Sequence, residues 1–454
     1  MFNRAKQLAA QIIRATDVHI VTHIDADGVA AGAIAASALR RMGKEYSVQF
    51  IKQLDEFVIQ DLLDKNPELV WFTDLGSNNE VSKLNHIVTD HHHCTPENCT
   101  PSTLNPHLFG LDGSIEISGA GATYLVAKTV DENNIDLASL AVVGACGDLQ
   151  DRKHCRLMGV NRSLLEDGGK AKTISWQIDV QYFGRETRPV YKLLQYATDP
   201  LIPGVTGREE ASISLLIDLE IPLKDGDNWR RWIDLTKDEK RRILSTITKM
   251  LLQKGFSSVL ARRLIGEVYV LTQEEEGTEL HDAKEYATLL NATARYGNPE
   301  FGLKVCMGDR EVALREARSL LKTHRHNLLE GIQFAKEEGV VKRKYFQYFH
   351  AGEGIRDTIV GIITGMLLNE EETTADLPMI GFAATDDGRI KVSARGTKRL
   401  VNKGLNLSVA LRKAAEKVGG IGGGHDIAAG ATIPKGNENE FLEILEKELE
   451  TQLS

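Results

Sequence analysis

The sequence predicts an α/β protein in three parts: a parallel sheet flanked by helices over residues 1–195, a mostly helical middle segment over 196–300, and a C-terminal α/β domain over 301–454. Three observations lead there. Strand-like and helix-like runs alternate through the first part, the texture changes after about residue 195, and a glycine-rich signature lies near the end. Alternation of this kind builds a parallel sheet, because the crossover between parallel strands is usually a helix that then covers one face. The length of 454 residues exceeds one ordinary core and suits several domains.

In the first part, MFNRAKQLAAQIIRATD opens the chain without a signal-peptide apolar region, and its Leu8, Ile12 and Ile13 fit one face of an amphipathic helix. HIVTH (19–23) reads as a strand, followed by an alanine-rich helix after Gly28 and then by the strands YSVQF (46–50), LVWFTD (69–74) and HIVTD (86–90). SLAVVGACGDLQD (139–151) reads as one more apolar strand ending in Gly-Asp. In the middle, PLIPGVTG reads as a turn-rich linker. DLTKDEKRRILSTITKMLLQKG (234–255) reads as a helix capped by Thr236, with an acidic first turn and Gly255 at its end. Its apolar positions favour packing inside the protein over a partner-binding role. From residue 301, FGLKVCMGD, the helix EVALREARSLLKTHRHNLLEGI, the strand YFQYFHA and KVGGIGGGHDIAAGATI (417–433) give a mixed α/β texture.

Composition excludes several classes. With 42% hydrophobic and 26% charged residues the chain is neither disordered nor fibrous. The longest nearly uninterrupted apolar run, 358–368, is about half of the roughly 20 residues a membrane helix needs, so it reads as a buried helix and no membrane association is expected. Five irregularly spaced cysteines suit free thiols in a reducing compartment, and a cytoplasmic protein is expected. A net charge of −9 excludes a general basic coat, though not a local positive channel.

Four clusters carry the chemistry: His23-Ile-Asp25-Ala-Asp27-Gly28, Asp74, Asp90-His91-His92-His93, and Gly147-Asp148. Each follows an apolar run, where open α/β sheets gather their ligands. Any one alone suits a turn or a helix cap. Together, ionised carboxylates and imidazoles at the ends of buried strands cost desolvation and repulsion unless a cation compensates. Mixed nitrogen and oxygen donors favour two Mn2+ ions, with Mg2+ or Co2+ as substitutes. No cysteine cluster has ligand spacing, although Cys94 and Cys99 near the histidines leave a zinc reading open. Two metals about 3.5–4 Å apart activate water and clamp both oxygens of a phosphoryl displacement, so a phosphate ester or anhydride is the expected substrate.

HIDADG, Asp74, DHHH and GACGDLQD resemble the successive motifs of DHH phosphoesterases, and GGGHDIAAGA resembles the glycine-rich motif of their DHH-associated domain. The resemblance implies that His23, Asp25 and Asp74 hold one metal and that Asp27, Asp74, His91 and Asp148 hold the other, with Asp74 as the bridge. It places His92 at the scissile phosphate with Asp90 orienting the histidines, and gives His93 no role. VSARGTKRL resembles the family's Ser-x-Arg segment. By that resemblance Ser393, Arg395, Gly422, Gly423, Gly424 and His425 grip substrate phosphate, with Lys398 and Arg399 as a weaker extension.

The length, the middle segment, EVYVLTQEEEGTELHDAKEYATLLNATAR and AGEGIRDTIVGIITGML are similar to archaeal RecJ-like proteins. That likeness implies an exonuclease on single-stranded DNA, from the 5′ end, in replication or repair, with RNA as a second substrate left open. It also implies docking to the GINS complex and the MCM helicase assembly. Two alternatives stay open: a phosphodiesterase of short oligonucleotides or cyclic dinucleotides, and a replisome scaffold bound to GINS.

Overall fold

The computed structural model describes residues 1–77, 79–368, 374 and 376–453. They form two compact units, Met1–Leu321 and Lys322–Ser454.

The first unit opens with α1 (Phe2–Arg14), which buries Ala5, Leu8, Ala9 and Ile12. Ile13 lies off that face and is exposed, because a helix turns by about 100° per residue and Ile12 already occupies the inner position. β1 (Asp17–His23), α2 (Ala26–Arg41), β2 (Glu45–Ile51), α3 (Glu56–Lys65), β3 (Val70–Thr73), β4 (His86–Thr89) and β5 (Thr103–Leu104) follow. The strands form one sheet in the order β2-β1-β3-β4-β5, with every neighbouring pair parallel. The chain reverses its direction of travel across the sheet between β1 and β3, and the carboxyl ends at such a switch point form a crevice.

Alanine in α2 has a packing reason. Residues 26–39 of this helix are all buried, between β1 on one side and α4 (Gly119–Val130) and α5 (Ala138–Gly147) on the other. Small side chains let these axes approach. α5 corrects the reading of 139–151 as a strand. It is buried nearly all round, so its sequence carries no amphipathic period, and an apolar run of that length does not separate helix from strand.

Ser175–Val180 pairs antiparallel with Ile265–Val270. The intervening segment builds a core around Trp232, with Leu193, Leu194, Ile243, Ile247 and Leu251. Thr236 caps the helix Lys237–Gln253 and forms a reciprocal capping box with Glu239. The helix buries Ile243, Ile247 and Leu251, so it packs internally. PLIPGVTG is not a free linker: Ile202 and Val205 are buried in the same core. FGLKVCMGD lies largely in the helix Pro299–Cys306, and Leu303, Val305, Leu314 and Leu321 join the first unit's core. The two compact units therefore divide at 321/322, inside the helix Val312–Glu338.

The second unit is built on a mixed six-stranded sheet in the order Val341–Lys342, Gln347–His350, Met379–Ala384, Arg389–Arg395, Ala428–Pro434, Ile421–Gly424. The helix Asp357–Leu367, in the long apolar run, covers one face with Ile359, Val360 and Ile363. The helices Leu407–Lys417 and Glu438–Leu453 cover the other. Among the described residues no helix is long and apolar enough to cross a membrane.

Candidate metal centre

Each candidate ligand is fixed by local backbone chemistry. β1 delivers His23 to the sheet edge. Asp25 caps α2 by accepting from the Gly28 amide at 2.9 Å, and Gly28 has no substitute, since a Cβ there would stand 2.2 Å from the His23 carbonyl oxygen. Asp27, in the first turn of α2, is fully buried and accepts from the amides of Gly119 at 2.6 Å and Ala120 at 3.1 Å, at the N-terminus of α4. Asp74 follows β3 with φ of +60°, a left-handed conformation that aspartate tolerates better than most residues. Asp148 follows the C-terminus of α5 instead of a strand.

These side chains converge. His23 Nδ1 lies 2.8 Å from Asp25 Oδ2 and 3.6 Å from Asp74 Oδ2. His91 Nε2 lies 3.1 Å from Asp148 Oδ2, 3.3 Å from Asp74 Oδ1 and 3.7 Å from Asp27 Oδ2. Three groups offer donor atoms within 4.8 Å of one another: His23, Asp25, Asp74; Asp27, His91, Asp148; and Asp74, His91, His92. Asp74 belongs to two of them. It is buried, and among the described residues neither of its carboxylate oxygens makes a hydrogen bond.

The imidazoles are oriented from behind. His91 Nδ1 donates to the Gly113 carbonyl at 2.7 Å, which leaves Nε2 facing the carboxylates. The same carbonyl accepts from Gln150 at 2.9 Å, and Asn161 donates to Gln150 at 2.7 Å. Asp90 accepts from His92 Nδ1 at 2.8 Å, from the His91 amide at 2.7 Å and from the Ser77 amide at 3.1 Å. His92 itself is about half exposed, with Nε2 free of that bond. His93 packs its ring against His107.

The electrostatics of this cluster suits a cation. Burial alone would depress His23, yet Asp25 and Asp74 hold it up to about 11. His91 is likewise raised by Asp148 and Asp74 against burial. Burial and the neighbouring Asp74 and Asp148 push Asp27 well up, and burial raises Asp148. Asp74 is buried too, but the two histidines hold it low. Without metal, protons take the place of cations.

Sequence reasoning missed the glycines that make room. A Cβ at Gly119 would stand 2.4 Å from Asp74 Oδ1, and one at Gly144 would stand 2.2 Å from Asp27 Oδ1. Gly113 carries the orienting carbonyl. The only signal for them is GAGAT and VVGACG, small residues in apolar runs.

The remaining candidates lie in the second unit. Ser393 sits opposite Gly430, which sits opposite Gly423. Arg395 Nη1 donates to the Ala394 carbonyl at 2.9 Å, burial lowers its pKa, and Gly361 lies close enough that a Cβ there would stand 2.8 Å from Nη2. Gly422 packs on the Leu411 carbonyl and Gly424 on Ala429, whereas Gly423 has open space above it. His425 is exposed, and its amide donates to the Ala428 carbonyl at 2.8 Å.

Three family models match the chain: the DHH family N-terminal domain over residues 17–145, the DHH-CID domain over 182–265 and the DHHA1 domain over 343–451. An uncharacterized protein of Methanocaldococcus jannaschii is 32% identical over 447 residues, covering 96% of this chain and 94% of that one. Among solved structures, RecJ of Thermus thermophilus in complex with Mn2+ is similar with a TM-score of 0.61 and 17% identity. The match covers 99% of this chain and 55% of that one, so the chain spans about half of that protein's length. Cdc45 of Entamoeba histolytica is similar with a TM-score of 0.65 and 12% identity, covering 98% and 97% of the two chains.

Proposed function

The chain belongs to the DHH family, and from that membership we propose that it is a metal-dependent exonuclease hydrolysing phosphodiester bonds of single-stranded DNA from the 5′ end, and of RNA as a second substrate. Its fold is that of DHH-family phosphoesterases. The observation that carries the proposal is Asp74: a buried carboxylate shared by two ligand-type groups, with a histidine nitrogen 3.3 or 3.6 Å from each oxygen and, among the described residues, no hydrogen bond to either. Such an arrangement is costly unless cations fill it. The donor set fits two divalent ions, and its mixed nitrogen and oxygen character favours Mn2+, with Mg2+ or Co2+ able to substitute.

In this reading His23, Asp25 and Asp74 hold one ion, and Asp27, Asp74, His91 and Asp148 hold the other. When bound, the pair supplies Lewis-acid polarisation of the phosphodiester and stabilises the attacking and leaving oxygens. Gly113 and Asp90 keep the imidazole nitrogens aimed. His92, steadied by Asp90, presents Nε2 to the scissile phosphate. Ser393, Arg395, the Gly422–Gly424 stretch and His425 grip the strand's phosphates, with Gly423 as the backbone position open to one.

The working place is the cytoplasm, in DNA replication or repair, with docking of the protein to GINS within the replicative helicase assembly. A pure scaffold has no need of metal ligands, whereas every ligand position here is filled.

The test is digestion of long single-stranded DNA and RNA labelled at either end, with Mn2+. Stepwise, metal-dependent loss beginning at the 5′ label is expected. Turnover of dinucleotides alone supports a small-substrate phosphodiesterase, and no turnover at all supports the scaffold.

A further inference from the structure

A cavity of about 380 Å³ lies beside the metal centre within the first unit. It falls in the size range of small-molecule sites, large enough for one ring-bearing ligand but not for a run of strand. Its rim includes Gly147, next to Asp148, and Asn291, whose Oδ1 accepts from the Ala26 amide at 3.1 Å between Asp25 and Asp27.

Two kinds of residue line this space. Phe183 and Tyr196 supply aromatic rings, with the buried Tyr182 beside them. The Arg188 guanidinium holds both rings, lying 4.8 Å from the Phe183 ring centre and 5.1 Å from that of Tyr196. The lining also carries four cations, Arg152, Arg263, Lys284 and Arg295, against two carboxylates, Asp151 and Asp199. Arg152 and Arg263 share Asp199 at 2.8 and 2.6 Å, and Lys284 pairs with Asp151 at 2.7 Å. Among the described residues no carboxylate lies within ion-pair distance of Arg295, whose pKa is depressed by burial. The lining therefore has more positive than negative groups, in a chain whose net charge is −9. Aromatic faces and surplus guanidinium suit a planar ring joined to an anion.

We infer that this cavity is a mononucleotide subsite: it takes the base and phosphate of the terminal nucleotide beside the scissile bond, and holds the nucleoside monophosphate after cleavage. The inference rests on the nucleic-acid phosphodiesterase reading above. It assigns to Phe183 and Tyr196 the stacking of one base, and to Arg152 and Arg263 the neighbouring phosphate charge.

Binding of deoxyadenosine monophosphate, deoxyribose 5-phosphate and inorganic phosphate to the full-length chain in EDTA tests it by calorimetry. Base stacking predicts that the nucleotide binds about ten-fold more tightly than the sugar phosphate. Tyr196→Leu and Arg263→Gln are each expected to weaken the nucleotide by about that factor, with Mn2+ binding unchanged. Photolabelling of the wild type with 8-azido-adenosine monophosphate locates the site without any variant, and the label is expected on residues 181–199. Equal affinity for nucleotide and sugar phosphate, or label elsewhere, overturns the subsite. Strand hydrolysis without selective nucleotide binding refutes the subsite alone. Selective binding with no hydrolysis of any strand refutes the enzymatic reading and leaves the subsite standing.

Discussion

At the scale of single residues the candidate centre holds protons that a bound metal would have to displace. His23 is held up to about 11 and His91 is raised as well, so both carry protons at neutral pH when no cation is bound. A ligand imidazole must be neutral. The sign follows directly: lowering the pH strengthens the competing proton and weakens metal, and raising it favours metal. Titration calorimetry of Mn2+ at pH 7 in buffers of different ionisation enthalpy is expected to give net proton release, with tighter binding at pH 8 than at pH 6. Zero release would show the histidines unprotonated beforehand.

Crowding around Asp27 gives a second expectation. Gly144→Ala places a methyl 2.2 Å from Asp27 Oδ1, and overpacking of this kind costs about 1–3 kcal/mol. The variant is expected to fold with a lower denaturant midpoint and to lose Mn2+ affinity by at least about ten-fold. Unaltered binding would mean that Asp27 is not a ligand. The ligand candidates were legible because each ends an apolar run, where a carboxylate or imidazole stands out. Gly113, Gly119 and Gly144 were not, because their role depends on what other segments bring against them.

At the scale of elements, the strands announced themselves and α5 did not. β1, β3 and β4 are short apolar runs closed by a polar residue. α5 is buried nearly all round among α2 and α4, so the periodicity that reveals a surface helix is absent. Its misreading left Asp148 at the same edge, since the residue follows the element's C-terminus either way. The 237–253 helix was legible from Thr236 and Glu239 three residues apart. Thr236→Ala removes the cap to the Glu239 amide and is expected to cost about 1 kcal/mol in denaturant unfolding, with Mn2+ binding unchanged. A loss several times larger would show that the Thr236 hydroxyl does more than cap.

At the scale of the whole molecule, the order of α/β, helical and α/β segments was readable, and the boundary between units was not. Leu303, Leu314 and Leu321 look like any helix core, and nothing in a linear sequence says which unit's core they join. PLIPGVTG has the composition of a linker, yet Ile202 and Val205 are buried. All six ligand candidates fall within the first unit, so the candidate metal centre belongs to Met1–Leu321 and the proposed strand grip to Lys322–Ser454.

In the proposed centre Asp74 joins two metal ions. Electron paramagnetic resonance of the full-length chain titrated with Mn2+ is the decisive experiment. Two ions per chain with an exchange-coupled spectrum are expected, with loss of that coupled signal in Asp74→Ala. Two independent, uncoupled ions, or a coupled signal that survives Asp74→Ala, would contradict it.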